Sequence, residues 1–319
     1  MKKSPRCTVI LPTYNRAATL ARAVASVMAQ NEPNFELIII DDGSTDETCE
    51  WLAKLDDPRI RVTLSEHSQG PSAARNIGIN MATAPVLAFL DSDDIYYSNR
   101  LSVPLAVFDR ESDVICTLSS ARKEDKIHSM SVAVMPDVKM ASPAFEWAMI
   151  CDLVGVETTS ITVRTDHARR VGGFCSTLRR TEDREFLIRL SRLGAARILP
   201  EVLFEKSWTT DGLSNQWASA GIDLVSYFRE RPEYVKQYRK VGQYLATKTL
   251  IMHIRHRDIA SFIDDARRFY AIGLFDEGVA HVWGNHLQVK KYRRKTAKQE
   301  ALAGLTGPPS DWPQPRDAL

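Results

Sequence analysis

Three carboxylates stand within four residues at Asp91-Ser92-Asp93-Asp94, directly after the apolar run Ala84–Leu90. The run reads as a buried parallel strand, so the acids emerge together at a strand end. Like charges crowded there repel one another, a cost that makes sense if a cation or a sugar hydroxyl sits between them. Oxygen-only ligands point to a hard divalent ion, Mg²⁺ or Mn²⁺, bridging diphosphate oxygens, with Asp91 and Asp93 as its ligands. The string alone is weak, since roughly one Asp-x-Asp arises by chance in a chain this long. Its position at a strand end is what gives it weight. The competing reading is that Asp93 or Asp94 caps a following helix.

A second run, Phe35–Ile40, also ends in acids, Asp41-Asp42-Gly43-Ser44. Two neighbouring parallel strands ending this way would build one acidic crevice able to handle a nucleotide diphosphate. Gly43 makes a turn, and Ser44 with Glu47 has the spacing of a capping box for the next helix. Neither accounts for Asp42, whose carboxylate could accept hydrogen bonds from a base imide or from ribose hydroxyls.

Three further segments belong to the same inventory. Pro12-Thr13-Tyr14-Asn15-Arg16 follows the first strand, where open α/β sheets bind ligands. There Tyr14 could stack on a base, and Asn15 has a structural reading as an N-cap. Gly70-Pro71-Ser72-Ala73-Ala74-Arg75-Asn76 opens a helix whose Arg75 could reach a nucleotide or be held in a salt bridge. Thr181-Glu182-Asp183 opens another helix, where acids suit the dipole and where a carboxylate could also serve as a general base. His67, His128 and His167 lack ligand spacing and read as surface or turn residues. No GxxxxGK[ST], HExxH or GxSxG string occurs, which leaves P-loop, zincin and α/β-hydrolase chemistry without support.

The elements that must position these residues alternate along the first half. Strands are expected at Cys7–Leu11, Phe35–Ile40, Ile60–Leu64, Val86–Leu90 and Asp113–Leu118, with helices at Ala17–Ala29, Asp46–Leu55, Ser72–Met81 and Arg100–Phe108. Short apolar runs separated by helical patterns signal a doubly wound α/β sheet. Residues 119–143 are irregular and read as a surface excursion. A helix at Phe145–Asp152, a strand at Thr159–Arg164, a Gly172-Gly173 turn, a helix at Glu182–Leu193 and a strand at Ala196–Phe204 follow. Beyond Ser214 the periodicity is helical, at Ile222–Arg229, Tyr234–His253, Ile259–Tyr270 and Glu277–Lys290. The expected organisation is residues 1–215 as one domain, 216–303 as a helical extension and 304–319 as a disordered Pro-rich tail.

With 319 residues, 44% hydrophobic and 26% charged, the chain has ordinary soluble-protein usage. A net charge of +2 selects neither nucleic acid nor membrane, and no nucleic-acid partner is expected. The five cysteines are scattered without a CxxC pair, which argues for a reducing compartment and against zinc. No run approaches the ~18 apolar residues of a membrane span. Pro12 and Asn15 interrupt the N-terminal apolar stretch too early for a signal peptide, so a cytoplasmic location is expected. The Lys290–Lys298 basic cluster has two readings: a solvated face, or a peripheral contact with anionic lipid on the cytoplasmic face of the membrane.

Taken in order, Val9–Arg16, Asp41–Thr48, Gly70–Asn76, Phe89–Asp94 and Glu182-Asp183 resemble family 2 glycosyltransferases across residues 1–215. The resemblance implies a GT-A type doubly wound, mostly parallel sheet flanked by helices, with residues 1–110 binding nucleotide-sugar and 111–215 facing the acceptor. It also implies inverting transfer from a nucleotide-diphospho-sugar, UDP-linked by default, to a saccharide or lipid-linked saccharide in surface-polysaccharide or glycolipid synthesis. By that resemblance Pro12, Tyr14, Asn15 and Asp42 hold the nucleoside with help from Arg75, and Asp91 lies near ribose and metal. Asp93 is then the principal metal ligand, Asp183 the catalytic base and Glu182 its support. One departure stands out. Relatives often carry Arg-x-His before a Gly/Ser-rich loop, where this chain reads Lys206-Ser207-Trp208, and Trp208 cannot ligate metal. Lys206 could still offset diphosphate charge. Two rivals are a non-catalytic nucleotide-sugar-binding module, which retention of all the acids disfavours, and a sugar nucleotidyltransferase, which would need a Gly-rich basic loop after the first strand.

Overall fold

The computed structural model describes residues 4–125, 127–150, 153–178, 181–209 and 239–296. Its first half is built from β1 (Cys7–Thr13), α1 (Leu20–Met28), β2 (Phe35–Asp41), α2 (Thr48–Leu52), β3 (Ile60–Leu64), α3 (Pro71–Met81), β4 (Val86–Phe89), β5 (Ile95–Tyr96) and α4 (Ser102–Arg110). There follow β6 (Val114–Glu124), β7 (Met130–Ala133), β8 (Val138–Met140), α5 (Ala144–Ile150), β9 (Ile161–Arg164), α6 (Thr165–Arg170), α7 (Glu182–Ser191) and β10 (Ala195–Lys206). The helical segment contributes α8 (Arg239–Arg255), α9 (Ile259–Ala271) and α10 (Val279–Thr296).

All ten strands join one sheet in the order β3-β2-β1-β4-β9-β6-β10-β5, with β7 beside β6 and β8 beside β10. β1 pairs in parallel with β2 and β4, β2 with β3, and β10 with β6, while β9 runs antiparallel between β4 and β6. Strands β1, β2, β3, β4, β6 and β10 therefore all end at the same edge. That common edge gathers Thr13, Asp42, Asp91, Lys123 and Lys206 from distant parts of the chain.

Helices cover both faces, which is why the central strands are apolar without alternation. Ile10, Ile38, Ile40, Leu87 and Phe89 pack on the face that carries Ala74 and Ile79 of α3. Their neighbours Val9, Leu11, Leu37, Ile39 and Ala88 pack on the other, against Leu20, Val24 and Val27 of α1. Gly78 brings α3 down tightly, since a Cβ there would lie 2.6 Å from Ile10 Cγ2.

Several boundaries differ from expectation for local reasons. α1 starts at Leu20 rather than Ala17, because the N–H groups of Thr19 and Leu20 both turn back to the Arg16 carbonyl. α2 is only Thr48–Leu52, since Asp46 takes the Thr48 N–H and tight turns close at Lys54 and Leu55. The surface excursion expected at 119–143 is sheet: β6 runs on to Glu124 and pairs with β7, while β8 pairs with β10. No helix follows Asp94, because β5 does, so neither Asp93 nor Asp94 is a cap. The expected helix at Ile222–Arg229 and the Pro-rich tail lie outside the described residues. The basic run from Lys290 continues α10 instead of following it.

The three C-terminal helices pack on one another, with Val241, Tyr244, Phe269, Leu274 and Val289 buried in the same cluster as Trp147 of α5 and Phe186 of α7. Among the described residues no helix is long and apolar enough to cross a membrane.

Candidate active site

Arg75 is the pivot of the crevice. It is 4% exposed, one helical turn inside α3, and its two terminal nitrogens reach Asp91 Oδ1 at 2.7 Å and Glu182 Oε1 at 3.2 Å. One guanidinium thus ties the end of β4 to the start of α7. Its carbon lies 5.3 Å above the Phe174 ring, while Nε is buried without a hydrogen-bond partner. The salt-bridged reading of Arg75 is the observed one.

Asp91 also receives its place from below, since its N–H donates to Thr159 Oγ1 at 3.3 Å. The same hydroxyl donates to Asp94 Oδ2 at 2.6 Å, and Ser207 N–H donates to Asp94 Oδ1. Asp94 is thereby engaged inside the protein, and burial pushes its pKa well above the ordinary aspartate range. Asp93 accepts a hydrogen bond from Thr209 Oγ1 at 3.3 Å. Its pKa is raised by burial and by Asp91, with Arg16 and Lys206 pulling the other way.

Asp91 and Asp93 are hard oxygen donors with room for more partners than the protein supplies. Among the described residues no third His, Cys, Asp or Glu completes a metal-binding group. Two carboxylates fit a divalent ion whose remaining ligands come from diphosphate and water, the usual manner for Mg²⁺.

At the opening of α7, Glu182 is buried and Asp183 half-buried. Burial and then repulsion from Asp183 push Glu182 up to about 7, against the attraction of Arg75. Asp183 is raised as well, by burial and by Glu157, while Arg184 and Lys206 oppose the shift. Glu157 binds both Lys206 and Lys123 through its two oxygens. Burial disfavours the Lys206 charge, but Glu157, Asp94 and Asp91 outweigh it and raise its pKa. Lys206 is therefore a fixed cation beside the acids.

On the nucleoside side the geometry is partly unexpected. Tyr14 stands 46% exposed just past β1, a free aromatic face, while Pro12 is buried in the strand. Asn15 is not an N-cap: at φ 51° it donates its N–H to Ser44 Oγ and accepts from Thr45 N–H at 2.8 Å each. Ser44 and Glu47 form no capping box either, because Ser44 donates to Asp41 Oδ2 at 2.6 Å and Glu47 makes no side-chain cap. Asp42 is 4% exposed, and its carboxylate accepts from Ser68 Oγ and from the N–H groups of Gln69 and Gly70. It shapes the loop leading into α3, with Oδ1 the less occupied oxygen.

Sequence reasoning missed four contributors: Glu157, Lys123, Thr159 and Arg100. Arg100 is wholly buried and donates to the carbonyls of Thr159 and Ile161 and to Thr162 Oγ1, locking the segment that carries Thr159. His128, expected as a plain surface residue, meets the Trp208 ring edge-on with centroids 6.2 Å apart. With Asn15, Arg16, Asp46 and Thr209 they line an open cleft of ≈ 570 Å³ next to Asp93.

Residues 8–148 match the family described as Glycosyl transferase family 2. The chain is 35% identical over 100 residues to the Escherichia coli UDP-Glc:alpha-D-GlcNAc-diphosphoundecaprenol beta-1,3-glucosyltransferase WfgD, a stretch covering 31% of this chain and 40% of that protein. It is 39% identical over 99 residues to the succinoglycan biosynthesis protein ExoO of Rhizobium meliloti, covering 31% and 28%. The chain thus spans less than half the length of these curated relatives. The fold is similar to that of S. aureus TarS 1-349 in complex with UDP-GlcNAc, with TM-score 0.62, 16% identity and 92% of each chain covered.

Proposed function

We propose that this chain, whose residues 8–148 belong to glycosyl transferase family 2, is an inverting glycosyltransferase that moves a sugar from a nucleoside-diphosphate donor to a hydroxyl of a saccharide or lipid-linked saccharide. The observation that carries the reading is the Arg75 bridge, which converges Asp91 and Glu182, with Asp183 beside it, on one edge of the sheet. The named relatives in polysaccharide and lipid-linked sugar assembly support an acceptor of the same class. UDP is the carrier favoured by the UDP-Glc donor in WfgD's name.

In this reading residues 1–110 bind the nucleotide-sugar and 111–215 face the acceptor, with the helical segment appended. Tyr14 offers its ring to the base, beside the loops that Asn15 and Asp42 hold in place. Asp91 and Asp93 would hold a divalent ion, Mn²⁺ or Mg²⁺, which when bound supplies Lewis-acid stabilisation of the diphosphate charge. Lys206, fixed by Glu157, adds positive charge from the protein itself.

Asp183 takes the proton of the acceptor hydroxyl as that oxygen attacks the anomeric carbon from the face opposite the diphosphate. The new C–O bond forms as the bond to diphosphate breaks, so configuration inverts in a single displacement. A carboxylate with a raised pKa is a stronger base than an ordinary one, and Asp183 has that property. Glu182, pushed up to about 7, carries only part of a full charge near neutral pH, which eases its repulsion of Asp183.

Asp183→Asn is expected to remove transfer, by roughly 10²–10⁴-fold for a lost general base, while donor affinity measured calorimetrically with Mn²⁺ stays near wild type. Full turnover by that variant would take Asp183 out of the mechanism.

A further inference from the structure

We propose that the outward face of α10 docks the protein on an anionic lipid surface. Val279, Trp283 and Leu287 lie one turn apart along this helix and are 87%, 47% and 49% exposed. Lys290, Lys291 and Arg294 are exposed further along it. At about 3.6 residues per turn, all six fall within roughly a 120° arc. Val282, Asn285, His286 and Val289 form the adjoining buried side. The free face is thus apolar in its first half and cationic in its second.

Scattered exposed apolar residues are ordinary, but an aligned stripe is not. The Trp283 indole stacks one face on the His286 ring, with centroids 5.3 Å apart, and its small exposed neighbours Ala280 and Gly284 do not crowd the remainder. Indole favours the headgroup level of a bilayer, and lysine and arginine are drawn to anionic headgroups. α10 contains no Asp or Glu. A helix face meant only for water normally carries acids paired with its bases at i,i+4, so this charge pattern lacks its complement within the helix. The acids just before it, Asp276 and Glu277, are already taken by Arg239 and His281. A lipid surface supplies both what the apolar half and what the basic half lack. The inference does not depend on sugar transfer.

Co-sedimentation of the full chain with vesicles tests it. Wild type is expected to pellet with phosphatidylcholine vesicles containing phosphatidylglycerol, far less with phosphatidylcholine alone, and less as salt rises. Val279→Ser/Leu287→Ser and, separately, Lys290→Glu/Lys291→Glu/Arg294→Glu should each weaken partitioning by about tenfold or more. Melting curves and donor hydrolysis without vesicles should match wild type in both, which keeps lipid binding apart from catalysis and folding. Vesicle binding unchanged in both variants overturns the proposal. So does a dimer in light scattering that the serine variant dissolves while wild type ignores vesicles, because the face would then bind a second copy.

Discussion

Glu182 shares Arg75 with Asp91, and half a guanidinium does not offset burial beside Asp183. In the unfolded chain this carboxyl releases its proton near 4.5, and in the folded chain at about 7. Between those values the folded state holds the extra proton, so stability falls as pH rises through the window and stays reduced above it. Glu182→Gln mimics the protonated form and should therefore raise stability at pH 8 by about 1–3 kcal/mol, with the gain fading towards pH 4.5. Thermal unfolding at the two pH values measures it, and an equal effect at both would mean that Glu182 is ionised throughout. Asp42, Asp91 and Asp93 were legible because they follow apolar runs, and Glu182 and Asp183 because they open a helix. Lys123, Glu157, Thr159 and Arg100 were not, because their partners lie far away in sequence: Glu157 is 34 residues from Lys123, and Thr159 is 59 from Arg100. Ser44 and Glu47 were misassigned for the opposite reason. Local spacing suggested a capping box, whereas Ser44 bonds to Asp41 and accepts from the Asn15 N–H across the loop.

At the scale of elements, what positions Arg75 is a clamp between α3 and the turn before α7. Asn76 accepts from Phe174 N–H at 2.7 Å and donates to its carbonyl at 2.8 Å, which sets the ring under Arg75 and against Phe186 and Phe89. Gly173, at φ 71°, makes this possible, since a Cβ there would lie 2.2 Å from Asn76 Oδ1. Gly172 shares the left-handed backbone, at φ 79°, but nothing lies within 4 Å of its missing Cβ. Gly172→Ala should then lose only the backbone term, about 1–2 kcal/mol. Gly173→Ala should lose more, about 2–4 kcal/mol, because the clamp must also shift. It should also weaken donor binding, and calorimetry alongside thermal melts separates the two glycines. Equal losses would show that the clamp does not govern the site. The Gly-Gly turn and the β/α alternation could be read from sequence, since strands buried on both faces leave continuous apolar runs. β5, β7 and β8 could not: they are two to four residues long and owe their existence to a partner strand rather than to their own pattern.

Over the whole molecule, α7, which carries the proposed base Asp183, leans on the C-terminal helices through α5. Arg184 of α7 donates to the Met149 carbonyl at 2.9 Å, and Arg192 bonds Glu146, so α7 is fixed to α5 at both ends. Trp147 of α5 is 1% exposed and donates from Nε1 to the Tyr292 hydroxyl of α10 at 3.1 Å, with the rings 6.0 Å apart. The helical periodicity beyond residue 239 was plain in the sequence, but a shared core with the sheet domain was not, because periodicity shows that a face is apolar without showing what it meets. Tyr292→Phe removes one hydrogen bond and should cost about 1 kcal/mol. Trp147→Ala empties a packed site and should cost about 3–5 kcal/mol. If α5 transmits position as well as stability, Trp147→Ala, assayed at a temperature where it is still folded, lowers kcat while KM for the donor holds. The reason is that Asp183 opens the helix that α5 supports, whereas Tyr14 and Asp42 stand at the ends of β1 and β2. A drop in Tm with kcat unchanged would confine α5 to holding the fold together.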